Sequence, residues 1–202
     1  MNTFEKAAHF ALTAHEGQIR KANPIPFILH PMEVAQIVST MTHSQEVMAA
    51  AVLHDVVEDT SVTLEEVRET FGDRVAWLVE KETENKRHNL PAADTWQIRK
   101  EESLLDLKNC DDKDVQILWM ADKLSNLRSF FRSRLRDGDR MWELFNQKDP
   151  EKQKWYYSKI LELCDQLQDT TAYREYKILL KAIFSTDAIN LQYQTGAFHF
   201  EV

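Results

Sequence analysis

The segment HDVVED, residues 54–59, sets an imidazole and three carboxylates within six positions, directly after the apolar run Ala51-Val52-Leu53. Read on one helix, His54 and Glu58 are four apart, as are Asp55 and Asp59, and Asp55 and Glu58 are three apart. All four therefore share one sector of its surface. That sector lies at the C-terminal end, where the macrodipole disfavours carboxylates. Burying unpaired charge is expensive, and a bound divalent cation would resolve the crowding. The alternative is a solvated helix end with a core histidine.

A cation needs more ligands than His54 and Asp55. His30, in PFILHP, follows an apolar patch and precedes a proline. Asp122, in ILWMADKLSN, is an acid set directly after a mostly apolar run. Each alone has an ordinary structural reading. Together they complete a set of two imidazoles and two carboxylates, which suits Mn²⁺, Fe²⁺, Co²⁺ or Zn²⁺. It is not a structural zinc set, which favours thiolates and closed tetrahedra.

The elements that must position these groups all read as helices. Apolar residues Phe4, Ala7, Ala8, Ala11 and Leu12 follow helical spacing over 3–16, with Gly17 as the stop. Pro24 and Pro26 make residues 18–31 a loop. Pro31 suits the first position of a helix over 32–41. Ser44 caps one running to about Val57, which carries HDVV on its end. Thr63 and Glu66 form a capping-box pattern for 64–70, and Asp73 can cap 74–83. Residues 84–94 read as a polar, mobile loop. Helices follow over 96–108, from Asp111 or Asp112 to about Leu135, from Pro150 to about Leu167, and over 171–184. The tail 186–202 alternates like a strand. No internal repeat or long linker appears. The expectation is all-α: a single compact helical bundle over 1–185 followed by a C-terminal tail.

Composition agrees. Hydrophobic residues make up 43%, enough for a core, while Gly 4 and Pro 5 are too few for a turn-rich β fold. The net charge of −8 disfavours non-specific binding to nucleic acid or anionic membranes, without excluding a small anionic substrate. Cys110 and Cys164 form no CxxC. With no basic start followed by an apolar stretch and no bilayer-length apolar run, the expectation is a cytoplasmic protein.

At this point the chain resembles a known family. RKANPIPFILHPMEVAQIV, AAVLHDVVEDTSVTLEEVRETFGDRVAWLVEKET and ADKLSNLR look like the HD-superfamily metal-dependent phosphohydrolases, and within them the hydrolase domain of the RelA/SpoT family and its stand-alone small alarmone hydrolases. The resemblance covers residues 3–135 well and 150–184 loosely. It implies an HD-domain helical bundle. It also implies that His30, His54, Asp55 and Asp122 ligate a metal, normally Mn²⁺, and that Glu58 and Asp59 handle the nucleophilic water. Arg20 and Lys21 match a basic pair in the substrate pocket, one of them placed on the guanine, and Asn126 matches an asparagine near the ribose and base. The implied reaction removes pyrophosphate from the 3′ position of guanosine tetra- or pentaphosphate, giving GDP or GTP. In 202 residues there is no room for the synthetase domain of long family members, so hydrolysis alone is expected.

The residue chemistry is consistent with this. A bound divalent ion lowers the pKa of water, and Glu58 is placed to take the proton with Asp59 assisting. Attack on phosphorus needs positive charge beside the departing pyrophosphate. Candidates are Lys123, Arg128 and the stretch Arg132, Arg134, Arg136, Arg140, the last four reading mainly as a solvated helix end. Two features depart from the family. Phe27 stands where a tyrosine is common, and residues 95–109 also resemble a related bacterial HD group. His9, His15, His43, His88 and His199 have no partners in motif spacing. Trp155, Tyr156 and Tyr157 read as core packing or a subunit contact, which leaves a homo-oligomer open. Trp77, Trp96, Trp119 and Trp142 read as core or core edge. Two alternatives stand beside the leading reading. One is an HD phosphohydrolase of another nucleotide or phosphorylated cofactor, such as NADPH at its 2′-phosphate. The other is a non-catalytic nucleotide-binding module.

Overall fold

Asn2 opens the first helix. Its side chain accepts the Glu5 N–H at 2.8 Å while the Glu5 carboxylate accepts the Asn2 N–H at 2.9 Å, a complete capping box on α1 (Thr3–Ala14). The computed structural model describes residues 1–20, 24–87 and 89–185. Within them every regular element is helical, and the one extended feature is an isolated bridge between Ile19 and Pro26. The tail 186–202 lies outside the described residues, as do Lys21 and His88.

α2 (Leu29–Val38) starts earlier than the sequence suggests, so Pro31 sits inside the first turn rather than opening it. The first turn has no intrahelical partner for its N–H groups, and a proline costs nothing there. α3 (Gln45–Leu53) is capped by Ser44, which accepts the Val47 N–H. Ala49, Ala50, Ala51, Val52 and Leu53 are all fully buried. A helix apolar all round belongs inside, and α3 packs against α1, α2, α6 and α8.

The expected run of one helix through HDVV is corrected here. α3 ends at Leu53, and α4 (Val56–Asp59) is a separate turn. His54 Nδ1 donates to the Ala51 carbonyl at 2.8 Å, taking an acceptor at the end of α3. Asp55 then leads into a new turn, closed by the Asp59 N–H on the Asp55 carbonyl at 2.9 Å.

α5 (Leu64–Phe71) carries the expected Thr63–Glu66 capping box. α6 (Asp73–Glu82) follows Gly72, whose φ of 89° favours glycine, so Asp73 is the first helical residue rather than the cap. α7 (Ala92–Lys108) begins after Pro91, earlier than expected. α8 (Lys113–Asp137) is the long central helix, capped by Asp112 and ended at Gly138. After a 3₁₀ segment over 138–144 come α9 (Pro150–Leu163), with Asp149 as cap, and α10 (Thr171–Phe184).

α8 packs on α2, α3, α6, α9 and α10 and gives the core Leu118, Met120, Leu124 and Leu127, all fully buried. Burying a leucine is worth about 1.5–3 kcal/mol, so one contiguous core fixes α8 against α3. Tyr156 and Tyr157 are buried and Trp155 packs partly against the same core, with the Trp96 ring 6.1 Å from Tyr156. That trio is core packing.

Candidate active site

Three helices bring the ligand set together. His30 comes from the first turn of α2, His54 and Asp55 from the corner after α3, and Asp122 from the middle of α8. One ligand atom each from His30, His54 and Asp122 lies within 4.8 Å of the others. His30 Nε2 is 3.0 Å from Asp122 Oδ1, and His54 Nε2 is 3.6 Å from the same oxygen. Asp55 Oδ2 joins them, 3.1 Å from His54 Nε2 and 3.7 Å from His30 Nε2. His30, His54 and Asp122 are all buried.

The tautomers follow from the neighbours. A carbonyl only accepts, so the His54 Nδ1–H is spent on Ala51 and Nε2 presents its lone pair to the centre. That Nε2 is buried and makes no hydrogen bond. The Ser125 hydroxyl donates to Glu33 Oε2 at 2.7 Å, so its oxygen accepts from His30 Nδ1 at 2.9 Å. His30 Nε2 is thereby also turned inward. Two neutral imidazole nitrogens and two carboxylate oxygens aimed at one point fit a divalent transition metal. Asn126 Nδ2 donates to Asp122 Oδ1 at 2.9 Å, and the Lys123 ammonium bonds Asp122 Oδ2.

Electrostatics separate the two histidines. Burial lowers the pKa of His30, which favours the neutral ligand form. Burial opposes the charge of His54 too, but Asp55 and Asp122 override it and raise its pKa well above the usual value. Asp55 and Asp122 are both held below the carboxylate range against burial, Asp55 chiefly by His54 and Asp122 chiefly by Lys123.

Glu58 and Asp59, on α4, face the next space. Glu58 Oε2 accepts the Glu84 N–H at 3.0 Å, and Oε1 lies 3.0 Å from Lys86 Nζ, which also bonds Asp59. Burial and then the Asp55 charge raise the pKa of Glu58. A cleft of about 1430 Å³ is lined by His30, Asp59, Lys86, Arg20 and Asn126; Glu58, His54, Asp55 and Asp122 lie behind its wall.

Arg20 and Asn126 are brought together as the sequence suggested. Backbone bonds from Arg20 N to Ile25 O (3.0 Å) and Phe27 N to Gln18 O (2.9 Å) close the proline loop. The Arg20 guanidinium then lies 5.8 Å from the Phe27 ring centre and donates to Asn126 Oδ1 at 3.0 Å. Lys21 is outside the described residues. Lys123 and Arg128 need correction as phosphate contacts, because each is committed to carboxylates of the fold and neither lines the cleft. Lys123 is buried between Asp122 and Glu82 above the Trp119 ring. Arg128 is held by both oxygens of Glu175, at 2.6 and 2.7 Å, and by Glu33. Of the arginine stretch, Arg132 and Arg136 do line the cleft's far side.

Sequence reasoning missed several groups. Ser125 carried a signal: it lies three residues after Asp122 on the same helix, and Glu33 lies three after His30. Glu82 had only an acid at a buried spacing to betray it; burial pushes its carboxyl up to about 8, against the pull of Lys123 at 3.6 Å. Lys86 and Glu84 had none, since a loop delivers them.

Comparisons with known proteins follow this geometry. The family profile described as HD domain matches residues 7–146. Guanosine-3′,5′-bis(diphosphate) 3′-pyrophosphohydrolase of Aquifex aeolicus (strain VF5) is 35% identical over 127 residues, which is 63% of this chain and 18% of that protein. GTP pyrophosphokinase rsh of Brucella melitensis biotype 1 is 35% identical over 124 residues, 61% of this chain and 16% of that one. The chain thus spans under a fifth of the length of these curated relatives. The crystal structure of lmo0812 from Listeria monocytogenes EGD-e superposes with a TM-score of 0.65 at 34% identity, covering 77% of this chain and 93% of that one. A metazoan ortholog of SpoT, described as hydrolysing ppGpp with a role in starvation responses, superposes with a TM-score of 0.68. It is 24% identical and covers 91% of this chain and 94% of that one, a likeness of fold.

Proposed function

Because the chain belongs to the HD-domain family, we propose that it is a metal-dependent phosphohydrolase that removes the 3′-pyrophosphate of guanosine tetra- or pentaphosphate, leaving GDP or GTP. The observation that carries this reading is the cluster of His30, His54 and Asp122, with Asp55 against both imidazoles, set beside a nucleotide-sized cleft that His30 and Asp59 line and Glu58 adjoins through Lys86. The names of the curated relatives support the choice of substrate.

His30, His54, Asp55 and Asp122 hold the metal, and the mixed N/O set is suited to Mn²⁺. Bound there, a divalent ion lowers the pKa of water and polarises a phosphoryl oxygen. Glu58 Oε1 accepts the proton of the attacking water. A P–O bond forms to the water oxygen and the P–O3′ bond breaks. Its electrons leave on the ribose oxygen, which takes up a proton. Asp59 orients the water beside Glu58. Arg20 and Phe27 hold the guanine, with Asn126 at the ribose. Asn126 also bonds Asp122, so nucleoside contact and metal ligand share one face of α8. Cys110 and Cys164 are free thiols, and among the described residues no helix is long and apolar enough to cross a membrane. A reducing, cytoplasmic setting is in keeping with both.

Incubating the purified protein with Mn²⁺ and guanosine tetraphosphate tests the reading. The expected result is stoichiometric pyrophosphate and GDP. Cleavage of another nucleotide, such as NADPH, with guanosine tetraphosphate left intact would overturn the substrate.

A further inference from the structure

The loop between α6 and α7 reaches into the acidic pair. Glu84 anchors it: its buried carboxylate accepts from Arg99 at 2.9 Å and from Lys100 at 2.5 Å, both on α7. With Glu84 fixed, its backbone N–H is a fixed donor to Glu58 Oε2. Lys86, two residues on, is different in kind. It ends a flexible four-carbon stem, lines the cleft, and leaves 27% of its side chain exposed. Its ammonium sits against Glu58 Oε1 and Asp59 Oδ1 together.

This arrangement raises a problem for the base. Both oxygens of Glu58 are already engaged, and Oε1 is the one facing Lys86 rather than a fixed amide. A water needs that lone pair. An ammonium has three donors and freely rotating geometry, so Lys86 can exchange one carboxylate partner for another anion while keeping Asp59. Phosphoryl oxygens entering the cleft are such an anion, and they form strong charge-assisted bonds.

We propose that Lys86 is a substrate-binding and positioning residue: it pairs with Glu58 and Asp59 until phosphoryl oxygens enter the cleft, then moves onto the phosphate and leaves Glu58 Oε1 open to the attacking water. The inference rests on the phosphohydrolase reading above but not on the identity of the nucleoside. It gives the loop a task that no local pattern in the sequence announces.

Calorimetric titration of the Mn²⁺-loaded protein with inorganic phosphate, on wild type, K86M, K86R, E58Q and the double variant K86M/E58Q, tests it. K86M keeps the aliphatic stem, and a direct Mn²⁺ titration controls for the metal site. The expected result is a drop in phosphate affinity of about tenfold or more in K86M, the size of one charge-assisted bond, with Mn²⁺ affinity unchanged and K86R within about threefold of wild type. E58Q, which releases Lys86 from its partner, strengthens phosphate binding in the wild-type background and does so far less in K86M. In turnover, K86M raises KM where K86R does not. Wild-type phosphate affinity in K86M, or an equal effect of E58Q in both backgrounds, would overturn the handover. Phosphate binding that depends on Lys86 in a protein inert toward guanosine tetraphosphate would support the handover and sink only the substrate assignment.

Discussion

Ser125→Ala strikes the relay that orients a proposed metal ligand from behind. The Ser125 hydroxyl is buried, accepts from His30 Nδ1 at 2.9 Å and donates to Glu33 at 2.7 Å. Alanine removes both bonds without adding volume. In the metal-free protein His30 has an escape: it moves its proton to Nε2, where Asp122 Oδ1 accepts at 3.0 Å. The fold therefore loses little. Metal binding closes the escape, because Nε2 must give up that proton and leave Nδ1–H buried opposite a methyl group. An unsatisfied buried donor costs about 1–3 kcal/mol. A middle value of about 2 kcal/mol converts to roughly 30-fold in affinity, inside the roughly 10–100-fold range for partners of metal-bound histidines. The assay is a Mn²⁺ titration by electron paramagnetic resonance, paired with thermal melts of the metal-free proteins. The expected pattern is weaker metal binding at nearly unchanged Tm. Unchanged Mn²⁺ affinity would refute the relay, and a large fall in Tm with affinity preserved would make Ser125 a packing residue only.

Three further outcomes follow from the site. Glu58→Gln keeps Mn²⁺ affinity and loses about 10²-fold or more in kcat, the contribution of a positioned base; near-wild-type turnover would falsify its role. Because burial and Asp55 raise the pKa of Glu58 above 4.5, its ionised form is penalised in the fold. In the metal-free protein Glu58→Gln therefore melts no lower than wild type at neutral pH; a thermal melt checks the sign. Arg20→Ala removes the group shared by Phe27 and Asn126, so KM rises about tenfold with kcat nearly kept, and a kcat loss at constant KM would place Arg20 in the chemistry instead.

The helical class and most helix ends were readable because their causes are local. Capping residues such as Ser44, Thr63 and Asp149 answer to donors two or three positions away, and apolar spacing declares which face is buried. The candidate ligands were conspicuous for a related reason. A histidine or aspartate inside an apolar run is an anomaly at the residue itself, so His30, His54, Asp55 and Asp122 stood out before any fold was known. The proposal of a guanine nucleotide for the pocket came from resemblance, not from spacing.

Three-dimensional packing decided the rest. HDVV was read as one helix, but the His54 ring competes for the Ala51 carbonyl and the chain turns at Asp55, which aims Asp55 back at the imidazoles and sets Glu58 against Glu84 and Lys86 of the loop. Lys123 and Arg128 looked available for phosphate because sequence shows charge without showing partners. The fold supplies Asp122 and Glu82 for one, Glu33 and Glu175 for the other. Lys86 went the opposite way, from an unremarked loop residue to the ion partner of the acidic pair. A residue's type and its near neighbours settle whether it can ligate, cap or pack. Which charges cancel one another, and which stay free for a substrate, depends on groups tens of residues away, and only the packing of α3 against α8 and of the loop against α7 sets those distances.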